Sequence, residues 1–338
     1  MDWTKSYTAI WRVYKVNRRT WEDGDPLNKV DSFSLSRMSD GSLIESGTME
    51  LSGEFESGYY RVVMIAEQGL LRERVNVATL LFNATGGKVD YGNTTHNVSG
   101  MSVLYPASTT SVDLGAYMPA GADGAQYAKD LLAKTINAPV EAHGSFTVDD
   151  YIVHETGSTV LSAVWSVLEA GGYVIQIDGR GIVHIMPKPT EPALILSGEN
   201  AGLLMNGVDF SDNMNEIPNR YVVIDGDVIT IAQNNDANSP VSILNRGYRV
   251  DTVDTAPTFV DGENRAEYAN RMLEESSVLK EQKDYTREYA PDVYPYSIVR
   301  ASVTGLDGDL RVDSQSITCG NGITVAEHAY KETKLWTR

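Results

Sequence analysis

The 338-residue sequence predicts a β-dominated α+β chain in which two strand-patterned regions flank a smaller α/β segment. Three observations lead there. Apolar and polar residues alternate with period two from Trp3 to about Tyr91 and again through much of the C-terminal third. Between about Met118 and Pro187 the period becomes helical. Eighteen tyrosines, with abundant Val, Ile and Thr, favour half-buried pleated surfaces over helices.

In the first region Tyr7, Ala9, Trp11 and Val13 fall on one strand face and Thr8, Ile10, Arg12 and Tyr14 on the other. Similar runs follow at 32–35, 47–51 and 59–65. Turn chemistry separates them at 22–26 (Glu-Asp-Gly-Asp-Pro), 39–41 (Ser-Asp-Gly) and 84–87 (Ala-Thr-Gly-Gly). A helix is expected over 123–137, with Asp123 as N-cap, Pro139 as stop and Tyr127, Ala128, Leu131, Leu132 and Thr135 on one face. A second spans 158–169 behind Ser158 or Thr159, buries Leu161, Val164, Val167 and Leu168, and ends at Gly171-Gly172. The segment 174–177, the turn 178–181 (Asp-Gly-Arg-Gly) and the return 182–185 read as a hairpin. Beyond Pro187, Pro189 and Pro192, strands are expected at 219–224, 228–232 and 243–250, with a turn at 225–227. A third helix, about 262–280 behind Asp261, turns Ala266, Ala269, Met272, Leu273 and Ser276 inward. Strands close the chain from 296 to 329, and no repeat of solenoid period is present.

The length suits about two domains with sizeable cores. Twenty-eight Lys and Arg against 46 Asp and Glu give a net charge of −18, which argues against a surface that grips phosphates. The one basic cluster, Lys15, Arg18 and Arg19 between Trp11 and Trp21, reads as a solvated loop or a protein contact. Cys319 is the single cysteine, so no intrachain disulfide forms; it is expected to be a half-buried strand residue, and synthesis in a reducing cytoplasm is expected. No signal peptide and no run of 18 apolar residues is seen, so stable membrane association is not expected. The Asn-x-Ser/Thr triplets at Asn83, Asn93 and Asn97 therefore carry no glycosylation meaning.

Catalytic, cofactor and metal sites are each expected to be absent. His96, His143, His154, His184 and His328 show none of the paired spacings that build zinc sites on a helix, and His184 is expected at a surface or interface, facing away from Val183 and Ile185. Nucleophile elbows and phosphate loops are missing. The adjacent pairs Asp149-Asp150 and Glu274-Glu275 read as solvated faces, since neighbouring side chains on one element point apart. Asp307, Asp309 and Asp313 start like a calcium loop, but Arg311 occupies a ligand position and no Glu follows in place, so a β-turn is expected there.

Several phrases add a family resemblance. Residues 156–161 (Thr-Gly-Ser-Thr-Val-Leu), 168–175 (Leu-Glu-Ala-Gly-Gly-Tyr-Val-Ile) and 178–187 (Asp-Gly-Arg-Gly-Ile-Val-His-Ile-Met-Pro) lead to 217–223 (Ile-Pro-Asn-Arg-Tyr-Val-Val). With the late helix at 265–275 and the segment 313–318, and spread over roughly 30–335, this order resembles the central hub family of phage tail baseplates and contractile injection systems. The resemblance implies two tube-protein-like β-barrel domains, expected at 1–95 and 205–338, around an inserted α/β domain at 96–204. It implies a homotrimer whose six barrels form a pseudo-sixfold ring, through heterologous contacts that close by rotation. The implied partners are the tail tube protein, the spike or tail-tip protein, the tape measure protein and distal baseplate proteins, with DNA only in passage through the virion tail baseplate. No segment resembles a lysozyme or peptidase domain. Two other classes fit a β-rich chain: a cell-surface or carbohydrate receptor-binding module, which needs an exposed aromatic platform, and a cell-wall hydrolase, which needs two carboxyl groups across a cleft.

Overall fold

The first strands are β1 (Thr8–Val16), β2 (Asp23–Pro26), β3 (Val30–Met38), β4 (Glu45–Ser52), β5 (Gly58–Gln68), β6 (Leu71–Asp90) and β7 (Asn93–Met101), of which β1, β3, β4 and β5 follow the alternation closely. The computed structural model describes every residue except 1, 2, 4–6, 28, 29, 40–42, 91, 92, 199–202, 206, 256, 258–262, 321 and 338, and the backbone alone at 84–90 and 93. The middle of the chain supplies α1 (Tyr105–Thr109), β8 (Tyr117–Met118), α2 (Gly124–Ala133), β9 (Val140–Ala142), β10 (Ile152–Val153), α3 (Val160–Gly171), β11 (Tyr173–Ile177), β12 (Val183–Pro187) and β13 (Pro192–Ser197). There follow β14 (Asp209–Asp212), β15 (Arg220–Asp225), β16 (Val228–Gln233), α4 (Ile243–Arg246), β17 (Asp251–Asp254), α5 (Arg265–Ser276), β18 (Val278–Glu288), β19 (Ile298–Val303), β20 (Leu306–Cys319) and β21 (Ile323–Lys334). The fold is β-dominated, as the alternation predicts.

Two units divide the chain, Met1–Val208 with Asp284–Ala329, and Asp209–Lys283 with Tyr330–Arg338. In the first, strands pair in the order β21-β20-β3-β4-β7-β6-β5-β1-β2, and β19 joins β20 to β13. The β20/β3 ladder, with Ile317 opposite Leu35, ties strands near the two ends of the sequence into one sheet. Buried Val13, Phe33, Leu35, Met49, Tyr60 and Phe82 form the core on one side of it. Strand β5 is buried almost continuously from Tyr59 to Met64, because its other face meets a second core. That second core joins Val16 and Tyr59 to Leu132 of α2, Leu161 and Leu168 of α3 and Ile175 and Ile185 of the β11–β12 hairpin.

Helices α2 and α3 begin where the sequence says they should. Asp123 accepts from the Ala125 and Gln126 amides, Thr159 accepts from the Ser162 amide, and Gly172 ends α3 at a left-handed φ of 66°. Replacing Thr159 by Ala is expected to cost about 1 kcal/mol of stability through loss of that cap, read as a lowered urea midpoint at unchanged slope.

The second unit is a small sheet, β16-β15-β17, with α5 against it. Tyr221, Val223, Ala232, Tyr268, Ala269 and Leu273 make its core. Tyr268 donates to Asp254 at 2.6 Å.

Five local expectations are corrected. Residues 22–26 are not a turn: Asp23–Pro26 pairs with β1 as strand β2, and the chain reverses earlier, where the Trp21 amide donates to the Asn17 carbonyl at 2.8 Å. Residues 84–87 do not turn the chain: β6 runs on to Asp90, and the glycines there sit at a break in the β6/β7 register. The stretch 243–250 is not a strand, because Ser242 caps a helical turn through the Asn245 amide and Gly247, at φ 72°, closes it. The third helix starts behind Asn264, which forms a capping box with Glu267, and ends at Ser276, where β18 takes over; position 261 lies outside the described residues. Asp307, Asp309 and Asp313 lie along β20, not in a turn, since Gly305 at φ 86° reverses the chain just before them.

Candidate functional site

Among the buried polar side chains of the first unit, two groups stand in the sheet interior and at the β11–β12 hairpin tip. In the sheet, Arg37 Nε donates to Glu45 Oε1 at 2.6 Å and its Nη2 to the Val77 carbonyl at 2.7 Å. Arg287 forms a two-pronged pair with Glu327, Nε to Oε2 at 2.9 Å and Nη2 to Oε1 at 2.6 Å, and Gln315 Nε2 donates to the same carboxylate at 2.6 Å. All of these side chains are buried. Burial pushes Glu327 towards its neutral form, but Arg287, Gln315 and Tyr285 outweigh that and hold it below the usual carboxylate range. Burial lifts Glu45 above that range, with Arg37 opposing it; Glu45 Oε2 has no hydrogen-bond donor among the described residues. The arrangement ties β3 to β4 and β18 to β21.

The hairpin tip is clamped onto β6 and its surroundings. Thr79 donates to the Gly179 carbonyl at 3.0 Å, Arg61 Nη2 to the Arg180 carbonyl at 2.9 Å, and Trp21 Nε1 to the same carbonyl at 2.8 Å. Trp21 adopts a left-handed φ of 59°, uncommon for a residue with a side chain. Arg61 also pairs with Asp23 at 2.6 Å.

The sequence candidates are dispersed, with one exception. Cys319 is fully buried in the first core, not half-buried as expected, and burial pushes its thiol up to about 12, which leaves no thiolate at neutral pH. His154 meets Tyr127 Oη at 2.9 Å, and burial lowers its pKa. His328 contacts Asp284, and His96 is half-buried on β7. Asp149 and Asp150 are exposed in a loop; Glu274 binds Lys334 and Glu275 binds Arg271. Lys15 pairs with Glu56 at 2.5 Å, while Arg18 and Arg19 are exposed in a turn. The exception is His143 and His184, whose ring nitrogens lie 2.9 Å apart.

A cleft of about 760 Å³ is lined by Thr159, Ser162, Trp165, Ser166, Tyr173 and Lys188 among others, and none of its lining residues is His or Cys. The five tryptophans are half-buried against the cores.

Neither a family model nor a curated protein matches the sequence. Solved structures do match. The chain is similar to the 43 kDa tail protein of prophage MuSo2 from Shewanella oneidensis, with TM-score 0.65 and 13% identity over 94% of this chain and 97% of that one. It is similar to the tail protein from Neisseria meningitidis MC58, with TM-score 0.66 and 13% identity over 97% and 98%. This chain has the fold of phage tail proteins. The same fold extends to a chain of the Francisella PdpA-VgrG complex, at TM-score 0.58 and 7% identity, where this chain spans 58% of that one. No described helix is long and apolar enough to cross a membrane.

Proposed function

We propose that this chain is a structural baseplate hub of a phage tail, a homotrimer whose pseudo-sixfold ring joins the tail tube to a central spike or tail tip and lets DNA pass. The observation that carries the reading is the shared fold over nearly the whole length of two tail proteins. In this reading residues 1–95 and 205–338 supply the two ring domains of each subunit and 96–204 the inserted one. The partners are further copies of the chain, the tube, spike or tip, tape measure and distal baseplate proteins, and the place of action is the virion tail baseplate after synthesis in the host cytoplasm. The role is non-enzymatic.

Two features support assembly. The net charge of −18 suits a bore that repels the phosphate backbone, so that DNA slides through. Ile229 and Ile231 on β16 and Val253 on β17 are exposed on the two strands that flank β15 in the second unit, and apolar surface of this kind commonly marks a protein contact.

Light scattering coupled to size exclusion tests the reading. The expected mass is three times the 37.0 kDa of the chain, and addition of the purified tube protein is expected to give a larger defined complex. A monomer at every concentration, indifferent to the tube protein, would sink the hub reading.

A further inference from the structure

His143 and His184 are brought together by strand pairing, with a carboxylate beside them. Strands β9 and β12 run parallel with Glu141 opposite His184, so the two side chains project from the same face of the sheet. His143 follows two residues after Glu141, and its amide donates to the Ile185 carbonyl at 2.8 Å, which carries the strand register one residue further and returns His143 to that face. On the other face Val183 and Ile185 are fully buried in the helical core.

The ligand-capable atoms converge. His143 Nε2 lies 2.9 Å from His184 Nδ1, His184 Nδ1 lies 3.5 Å from Glu141 Oε2, and His143 Nε2 lies 3.8 Å from the same oxygen. Among the described residues these three form a cluster able to hold one metal ion. With bonds of roughly 2.0–2.2 Å to nitrogen and oxygen, a tetrahedral ion places its ligand atoms about 3.4 Å apart, in the middle of the three separations. His184 turns its other nitrogen, Nε2, to Asp178 Oδ2 at 3.6 Å, and Asp178 is itself fixed through Oδ1 by the Ile182 amide at 2.9 Å. A carboxylate behind a ligating imidazole is the arrangement that sets its tautomer and orientation.

We infer that Glu141, His143 and His184 bind one divalent first-row transition-metal ion, zinc fitting best, with Asp178 as the positioning carboxylate. Two imidazoles and one carboxylate suit such an ion, whereas calcium and magnesium take oxygen-only sets. The half-exposed Glu141 and His143 leave a fourth position on the solvent side for water. The bound ion cross-links β9 to β12, and therefore the inserted segment to its hairpin. This inference stands on the local geometry and is independent of the tail reading.

The test uses the full-length chain without an affinity tag, stripped by chelator and titrated with zinc by calorimetry and with cobalt by visible absorption. One ion per chain is expected, and cobalt is expected to show the intense band of a four-coordinate site. His143→Ala and Glu141→Gln, at half-exposed positions that leave the core intact, are expected to weaken zinc by more than about 100-fold with unchanged circular dichroism. Asp178→Asn keeps the bond from Ile182 and sets a donor against His184 Nε2; it is expected to weaken zinc about 10- to 100-fold. His328→Ala, elsewhere on the chain, is expected to change nothing. The inference is overturned if the stripped protein takes up no ion, if His143→Ala and Glu141→Gln both bind as the parent does, or if His328→Ala weakens zinc equally.

Discussion

Replacing Glu327 by Ala is expected to lower the unfolding free energy by about 3–5 kcal/mol, because it leaves the Arg287 guanidinium buried without its counter-charge. Arg287 is fully buried, and of its bonds only the one to the Glu288 carbonyl survives the change. Gln315 loses one of two acceptors as well. The same carboxylate fixes the sign of a pH effect. Its pKa is held below the usual value in the folded chain, so its stabilising contribution is present above the ordinary carboxylate pKa and is lost as pH falls through the lowered folded value. Urea titrations at neutral and acid pH are expected to show parent stability falling in that acid window, and Glu327→Gln is expected to flatten this part of the profile. Glu45 behaves oppositely: its raised pKa means that the folded chain takes up the proton more readily, so Glu45→Gln is expected to cost less than Glu327→Gln. A loss below about 1 kcal/mol for Glu327→Ala at neutral pH would refute the account.

Legibility in the sequence follows the range of the interaction. Asp123, Thr159 and Gly172 act through bonds to residues a few positions away, and the hairpin turn at 178–181 is closed by Asp178 itself through the Ile182 and Gly181 amides. Local chemistry of this kind can be read from spacing. The stretch 243–250 misled because its apolar residues look strand-like, while the deciding signals were the Ser242 cap and Gly247. The ion pairs were invisible for a different reason. Charged side chains are mostly exposed, and only the completed sheet shows Arg37, Glu45, Arg287 and Glu327 buried. The metal cluster joins positions 41 residues apart through a parallel ladder. Its one local signal was the Glu141-x-His143 spacing, which shares a face on a strand but not on a helix. The end-to-end sheet has no local signal, since the β20/β3 pairing is specified by two faces that recognise each other only when folded.

Replacing Gly179 by Ala is expected to destabilise the chain by about 3 kcal/mol, at the upper end of what overpacking usually costs. A Cβ built at this position would lie 1.9 Å from the Asn76 carbonyl oxygen and 2.4 Å from its carbon, both backbone atoms of β6 that cannot swing aside. The clash sits where the hairpin is held, so relief requires the tip to lift. Lifting it breaks the Thr79 bond to the Gly179 carbonyl and the two bonds that Arg61 and Trp21 make to Arg180. Arg61 is buried and would lose one of its acceptors, which converts a steric insult into a loss of hydrogen bonds. A neighbouring substitution separates this effect from loop flexibility in general. Arg180→Ala keeps the carbonyl that accepts both bonds and removes only an exposed side chain, so it is expected to change stability by less than about 0.5 kcal/mol. Urea unfolding of the two variants side by side decides the matter. If Gly179→Ala is as stable as Arg180→Ala, the hairpin does not press on β6, and the inserted segment is held by its apolar core alone.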